Sequence, residues 1–285
     1  SVMHDANHGA YSSSKKINSI IGFVLNIVGG DATNWKVQHN ILHHTYTNIA
    51  GIDEDIKDRA GMRFNPSGKF RKQQRYQVVY AMFLYSLMSL YWVTLKDFFQ
   101  YVRYKHEGRL NDLHHDRRRK FAVMILFKII YYFYAIALPI ILFPAIWWKV
   151  VLGFIVLHLV SGLVLSFVFQ LAHVVESTTF PLPDKNGNIE SEWAIHQLQT
   201  TADFAPKNKL ITFYVGGLNY QAIHHLFPRI CHVHYPKLAP IVEKTAKEFG
   251  LQYLSYKTFG AALRSHLRLL NKLGRKEIQH MAVEM

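Results

Sequence analysis

FAVMILFKIIYYFYAIALPIILFPAI, residues Phe121–Ile146, followed by VVLGFIVLHLVSGLVLSFVFQLA, residues Val150–Ala172, decides the fold. Each run can cross a bilayer as a helix, which takes ~20 apolar residues. The first carries one charge, Lys128, and the second nothing more polar than His158 and its few hydroxyl and amide side chains. Pro144, Trp147, Trp148 and Lys149 between them predict a short turn with aromatic residues at the membrane interface. Residues 121–172 are therefore expected to be a transmembrane hairpin. Just upstream, Arg103–Lys120 holds seven Lys or Arg against three acids, which places that end in the cytoplasm. His173 then returns to the same side.

Working outward, the 285 residues are half hydrophobic and read as one domain, 1–285, of all-α integral membrane class. Tyr76–Leu95 is uncharged but rich in Tyr and Ser. A further crossing there would put early and late histidines on opposite faces, so 76–95 is expected to be an interfacial helix. Ile17–Gly30 is too short to cross and ends on a Gly29–Gly30 turn signal. Residues 176–209 read as a polar loop centred on PLPDKNGN, and 254–285 as a basic amphipathic helix. Lys and Arg exceed Asp and Glu by 33 to 19, but the basic residues cluster beside apolar runs, which points to lipid and away from nucleic acid. Cys231 is the only cysteine, so an internal disulfide and a CxxC metal site are excluded.

Seventeen histidines remain as ligands, and three clusters stand out. They are His4 and His8 in HDANH, His39, His43 and His44 in QHNILHH, and Gln221, His224 and His225 in QAIHH. On an α-helix, residues four apart share a face, so His4 with His8 and His39 with His43 could each grip one metal. An adjacent histidine points roughly 100° away, letting one segment reach two metals. Gln221 shares the face of His224 and His225. His173 joins them because the hairpin delivers it to the same membrane side. Imidazole suits several metals, and the zinc-protease motif HExxH is absent. Chemistry on an apolar, unactivated substrate needs a redox metal, which zinc is not.

HDANH, QHNILHH and QAIHHLFP resemble the three histidine boxes of membrane fatty acid desaturases. The similarity runs from Met3 to about Lys244 and includes WAIHQLQTTADF and GGLNYQAIHHLFPRICHVHYP. A Gln opening the third box resembles the front-end subgroup, although Ala222 and Ile223 stand where that subgroup often has Ile-Glu. The resemblance implies two iron ions held by His4, His8, His39, His43, His44, His173, His224 and His225, with Gln221 replacing a ninth histidine. It also implies dioxygen as co-substrate, an external electron donor of cytochrome b5 or ferredoxin type, and a fatty acyl-CoA or acyl-lipid substrate. The active site would sit on the cytoplasmic face of a bacterial inner membrane or the endoplasmic reticulum. It further implies another transmembrane pair ahead of the first box, so the sequence reads as N-terminally truncated. A hydroxylase or ketolase on the same scaffold is the nearest alternative. A histidine-rich metal transporter is an alternative of another class, with ligands at mid-membrane.

Asp5 and Asp203 are expected to support the metal ligands, because carboxylates commonly orient metal-bound imidazoles. Asp53, Glu54 and Asp55 read as a solvated turn. His106, His114 and His115 read as solvated residues near headgroups, and His158 as a neutral, hydrogen-bonded packing residue. His196, His232 and His234 lie near the third box as supporting or headgroup-contacting candidates.

Overall fold

Lipid satisfies no backbone hydrogen bonds, so the apolar runs fold as helices, and the computed structural model shows how they are arranged. It describes residues 1–59, 61–110 and 117–275; His114, His115 and the end of the basic tail lie outside them. Arg117–Leu142 and Pro144–His173 form the hairpin, each long and apolar enough to cross a membrane. Phe143, at φ −132°, breaks the chain between them, and Pro144 opens one 3-10 turn. Trp147, Trp148 and Lys149 were expected in the turn; they instead form the first turn of the returning helix, with both indoles exposed.

Lys72–His106 is a third helix of sufficient length and apolarity, continuous through a π-helical segment at Trp92–Lys96. It packs against the returning hairpin helix, so closely that a Cβ on Gly162 would stand 2.3 Å from the Ser86 carbonyl oxygen. Both of its ends are tied to the same cap. Gln77 Nε2 donates to the Leu270 carbonyl at 2.6 Å, and Gln100 Nε2 donates to Gln38 Oε1 at 2.5 Å. Its exposed face carries Val79, Phe83, Leu95, Phe99 and Val102, spaced mostly in threes and fours.

A buried polar knot joins this helix to the hairpin. His158 meets Ser89 Oγ at 2.9 Å through Nδ1 and Tyr131 OH at 2.6 Å through Nε2, the hydrogen-bonded packing role expected of it. Lys128 Nζ donates to the carbonyls of Gly29 and Val93 and to Asp97 Oδ2, at 2.6, 2.9 and 2.7 Å. The Val93 carbonyl belongs to the π-helical segment, where the wider winding leaves acceptors open to a side chain. Gly29, at φ +90°, turns the chain toward the second box; a Cβ there would also meet the Tyr131 ring at 2.9 Å.

The cap is built from short helices beyond the ends of the hairpin. The expected loop over 176–209 contains the helix Trp193–Thr200, whose buried residues include His196 and Gln197. Asp203–Phe204 then pairs in parallel with Ser255–Tyr256. This two-residue ladder is the sheet content of the described residues, so the class is helical, as expected. Phe259–Gly274 closes the cap: Leu269, Leu270 and Leu273 pack with Ile56, Tyr85 and Val174.

Candidate metal centre

The first box lies on the helix Val2–His8, where α-helical winding sets His4 and His8 one turn apart with ring centroids separated by 4.7 Å. The second box departs from this pattern. Val37–His43 is π-helical, with more residues per turn, so residues five apart come into line. Accordingly His39 Nε2 faces His44 Nε2 at 3.3 Å. His39 also stays beside His43, the two rings stacked at 5.3 Å between centroids and grouped with Asp55, so the pairing expected from their spacing of four stands alongside this one. The third box is the short helix Gln221–Leu226, where the adjacent His224 and His225 diverge as expected.

Two groups made of ring nitrogens alone result, and His39, His43 and Asp55 form a further one that links them. His4, His8, His39 and His224 offer nitrogens within 4.8 Å of one another, and so do His43, His173 and His225. His44 lies between them, its ring 4.6 Å from that of His224 and 4.3 Å from that of His225. Gln221 is buried at the start of the third-box helix and donates through Nε2 to the Leu218 carbonyl at 2.8 Å. His4 Nε2 stands 3.2 Å from His39 Nε2. Two imidazole nitrogens about 2.0–2.1 Å from one ion are separated by roughly 3–3.5 Å, so these spacings suit a shared metal.

The far side of each ring shows which nitrogen is presented. His43 Nδ1 is 3.0 Å from Asp53 Oδ2, His173 Nδ1 is 3.3 Å from the Thr200 carbonyl, and His225 Nδ1 is 2.8 Å from Gln197 Oε1. These acceptors require Nδ1–H and leave the Nε2 lone pair free. His224 Nδ1 meets Tyr235 OH at 3.1 Å. The Nε2 atoms of His8, His43, His173, His224 and His225 are all buried without a hydrogen-bond partner. Such orphans are costly unless something fills them, and a ring held at Nδ1 with Nε2 free is the usual state of a metal ligand.

The charges agree. Burial, reinforced by neighbouring imidazoles, holds His8, His39, His44, His224 and His225 well below the ordinary histidine pKa, so they are neutral donors at neutral pH. Burial would depress His43 too, but the carboxylates of Asp53 and Asp55 outweigh it and raise its pKa. The donor set, all imidazole apart from one amide, fits a borderline first-row metal such as iron.

The model of the fatty acid desaturase family matches residues 1–257. The chain belongs to the fatty acid desaturase family. It is 39% identical over 95% of its length to the sn-1 linoleoyl-lipid 6-desaturase of Arthrospira platensis, covering 73% of that protein. The same identity holds over 96% of its length for the sn-1 linoleoyl-lipid 6-desaturase of Synechocystis, of which it covers 76%. The acyl-lipid (8-3)-desaturase of Physcomitrium patens is 36% identical over 98% of the chain, which spans 58% of that relative. No solved structure gives a significant match. The protein is thus an oxidoreductase acting on acyl chains, and its ring nitrogens lie in a cap at one end of the hairpin.

Around this desaturase site, Asp5 lies beside a histidine of the first box and Asp203 beneath the helix of the third. Asp5 accepts from His232 Nδ1 at 2.6 Å and from its backbone N–H at 3.1 Å, and lies 3.6 Å from His4 Nδ1. Burial pushes the Asp5 carboxyl up, but hydrogen bonds from His232 and His4 prevail and hold it well below the usual range. Asp203 accepts from the Ala222 N–H at 3.0 Å and from Tyr253 OH, anchoring the third-box helix by its backbone. Burial raises its pKa to about 7.

Sequence reasoning missed three contributors. Asp53 is buried, so the acidic run is no solvated turn: it holds His43 and accepts from the Asn48 N–H at 2.9 Å, while Glu54 pairs with Arg103. Asn48, in the left-handed region at φ +59°, donates through Nδ2 to the carbonyls of His173 and Thr179 at 2.9 and 3.0 Å. Gln197, fully buried, joins His225 to the second box. The signal for Asp53 was its place nine residues after a double histidine in a chain short of acids. Gln197 had none, because its partners are set by the tertiary fold. His232 supports Asp5, whereas His234 is exposed.

Proposed function

We propose that this desaturase inserts a double bond into the acyl chain of a membrane lipid, between an existing double bond and the carboxyl end, at two irons. His4, His8, His39, His224 and His44 would hold one iron, and His43, His173, His225 and Gln221 the other, with His44 close to both. The observation that carries this reading is the set of buried Nε2 atoms left free by partners at Nδ1. Names of relatives support the substrate: they act on acyl lipids at the 6 and 8-3 positions, which favours acyl lipid over acyl-CoA and the front-end type.

When bound, an iron pair supplies the activation of dioxygen that removal of hydrogen from two neighbouring methylenes requires, with electrons from a cytochrome b5 or ferredoxin type donor. The chain's own part is placement. Asp53, Gln197 and the Thr200 carbonyl hold three rings at fixed tautomer and angle, and Tyr235 holds the His224 ring in place. Burial keeps water from the ligand nitrogens. Phe169 packs on His43 and His173 at 4.9 and 4.8 Å between ring centroids, forming an apolar wall where the hairpin enters the cap. Identical methylenes can be told apart by position alone, so such rigid walls determine which carbons react.

The basic stretch before the hairpin supports a cap on the cytoplasmic side, of a bacterial inner membrane or the endoplasmic reticulum. An interfacial place for the helix over 76–95 is supported by the ties of the longer helix Lys72–His106 to the cap, at Gln77 and at Gln100, and by its exposed apolar side chains. Expression of the full-length gene in a host of known lipid composition, followed by mapping of double bonds, tests the activity. A new unsaturated acyl chain that disappears with His224→Ala is expected. No new double bond with iron, oxygen and a competent donor present would overturn the proposal.

A further inference from the structure

Immediately before the third box, Lys209–Val215 forms a helix of sequence KLITFYV. Leu210, Phe213 and Tyr214 are 76%, 87% and 71% exposed and follow the i, i+3, i+4 spacing of one helical face. Three large apolar side chains open to water on one short helix form a patch that calls for a partner. The opposite face gives its position: Ile211 packs with Leu171 and Phe167 in the last turns of the returning hairpin helix. The exposed stripe therefore sits level with the cap end of a span. Lys207 and Lys209, both exposed, flank the stripe, the arrangement by which interfacial helices place ammonium groups among anionic headgroups.

We infer that Lys209–Val215 is a monotopic anchor whose Leu210, Phe213 and Tyr214 enter the cytoplasmic leaflet. The helix leads through Gly216 and Gly217, at φ +59° and +74°, to Gln221, and a Cβ on Gly217 would meet His232 Cβ at 2.9 Å. This tight turn couples the anchor to the ligands of the third box and to the His232–Asp5 pair, so the leaflet surface and the metal centre are held in fixed register.

The inference rests on the hairpin crossing a bilayer, and the experiment separates the two claims. Full-length protein carrying Cys231→Ser receives one cysteine at Phe213, at Leu157 on the hairpin, or at Asn186 in the exposed turn, and each is labelled with an environment-sensitive fluorophore in nanodiscs. Leu210→Cys is the second anchor position, should Phe213→Cys fold poorly. Phe213 and Leu210 are expected to give blue-shifted emission quenched by nitroxide lipids and protected from iodide, as at Leu157, while Asn186 shows the reverse. Iodide quenching at Phe213 equal to that at Asn186 overturns the anchor, and so does protection from both quenchers, which would mean protein covers the stripe. Loss of lipid quenching at Leu157 itself would instead overturn the membrane reading.

Discussion

Replacing Gln197 by leucine tests the claim that the cap presets ligand tautomers. Gln197 is 0% exposed; its Oε1 accepts from His225 Nδ1 at 2.8 Å and from Thr47 Oγ1 at 3.0 Å, and its Nε2 donates to the His44 carbonyl at 3.2 Å. The amide cannot be reversed, because the His44 carbonyl needs a donor opposite it. Leucine keeps the bulk and leaves His225 Nδ1–H and the His44 carbonyl without partners, at ~1–3 kcal/mol each. Thr47 Oγ1, 3.2 Å from His225 Nδ1, can take up part of that loss. Losing a partner that orients a ligand usually lowers metal affinity ~10–100-fold. Gln197→Leu is therefore expected near the tenfold end, and the double variant with Thr47→Val near a hundredfold. Gln197→Glu, which still accepts from Nδ1, loses less than leucine. Anaerobic titration of the apoprotein with Fe²⁺ against a chelator of known affinity reads this directly, with circular dichroism confirming the fold. If folded Gln197→Leu binds iron as tightly as wild type at both sites, the tautomer argument fails.

Three further outcomes follow. Lys128→Met leaves the Asp97 carboxylate buried without its cation, which costs about 3–5 kcal/mol; the apparent unfolding midpoint should fall sharply and recover in part with Asp97→Asn, and no recovery would mean that packing dominates. Asp203, with its pKa raised from 3.8 to about 7 in the folded chain, holds a proton that the unfolded chain has lost between those values, so its contribution to stability is full below about pH 4 and fades as pH rises to 7. Asp203→Asn should thus gain midpoint relative to wild type as pH rises from 4 to 7; a constant difference would show that Asp203 does not titrate there. Asp53→Ala removes the acceptor at His43 Nδ1 and is expected to weaken one metal site ~10–100-fold while leaving the other near wild type, measured by the same titration.

The hairpin, the three histidine clusters and their meeting at one end of it were legible because each rests on local pattern: uninterrupted apolar length, or short spacing on a helix. The grouping of ligands was less so. Spacing by fours paired His39 with His43, which do lie together, but nothing in QHNILHH announces the π-helical segment beside which His39 also meets His44. Long-range partners were hidden for a different reason. His232 reaches Asp5 across 227 positions and Gln197 reaches His44 across 153, contacts fixed by packing that no local periodicity encodes. Asp53 shows the cost of treating charge as surface by default, since its carboxylate is buried where a histidine needs an acceptor.

The most direct measurement is the iron content of the full-length protein in nanodiscs, beside variants that each remove one presented nitrogen. Wild type should hold two irons per chain, while His8→Ala and His43→Ala, each from a different group, should each retain about one. A single iron in the wild type, or two in both variants, would contradict the paired histidine groups.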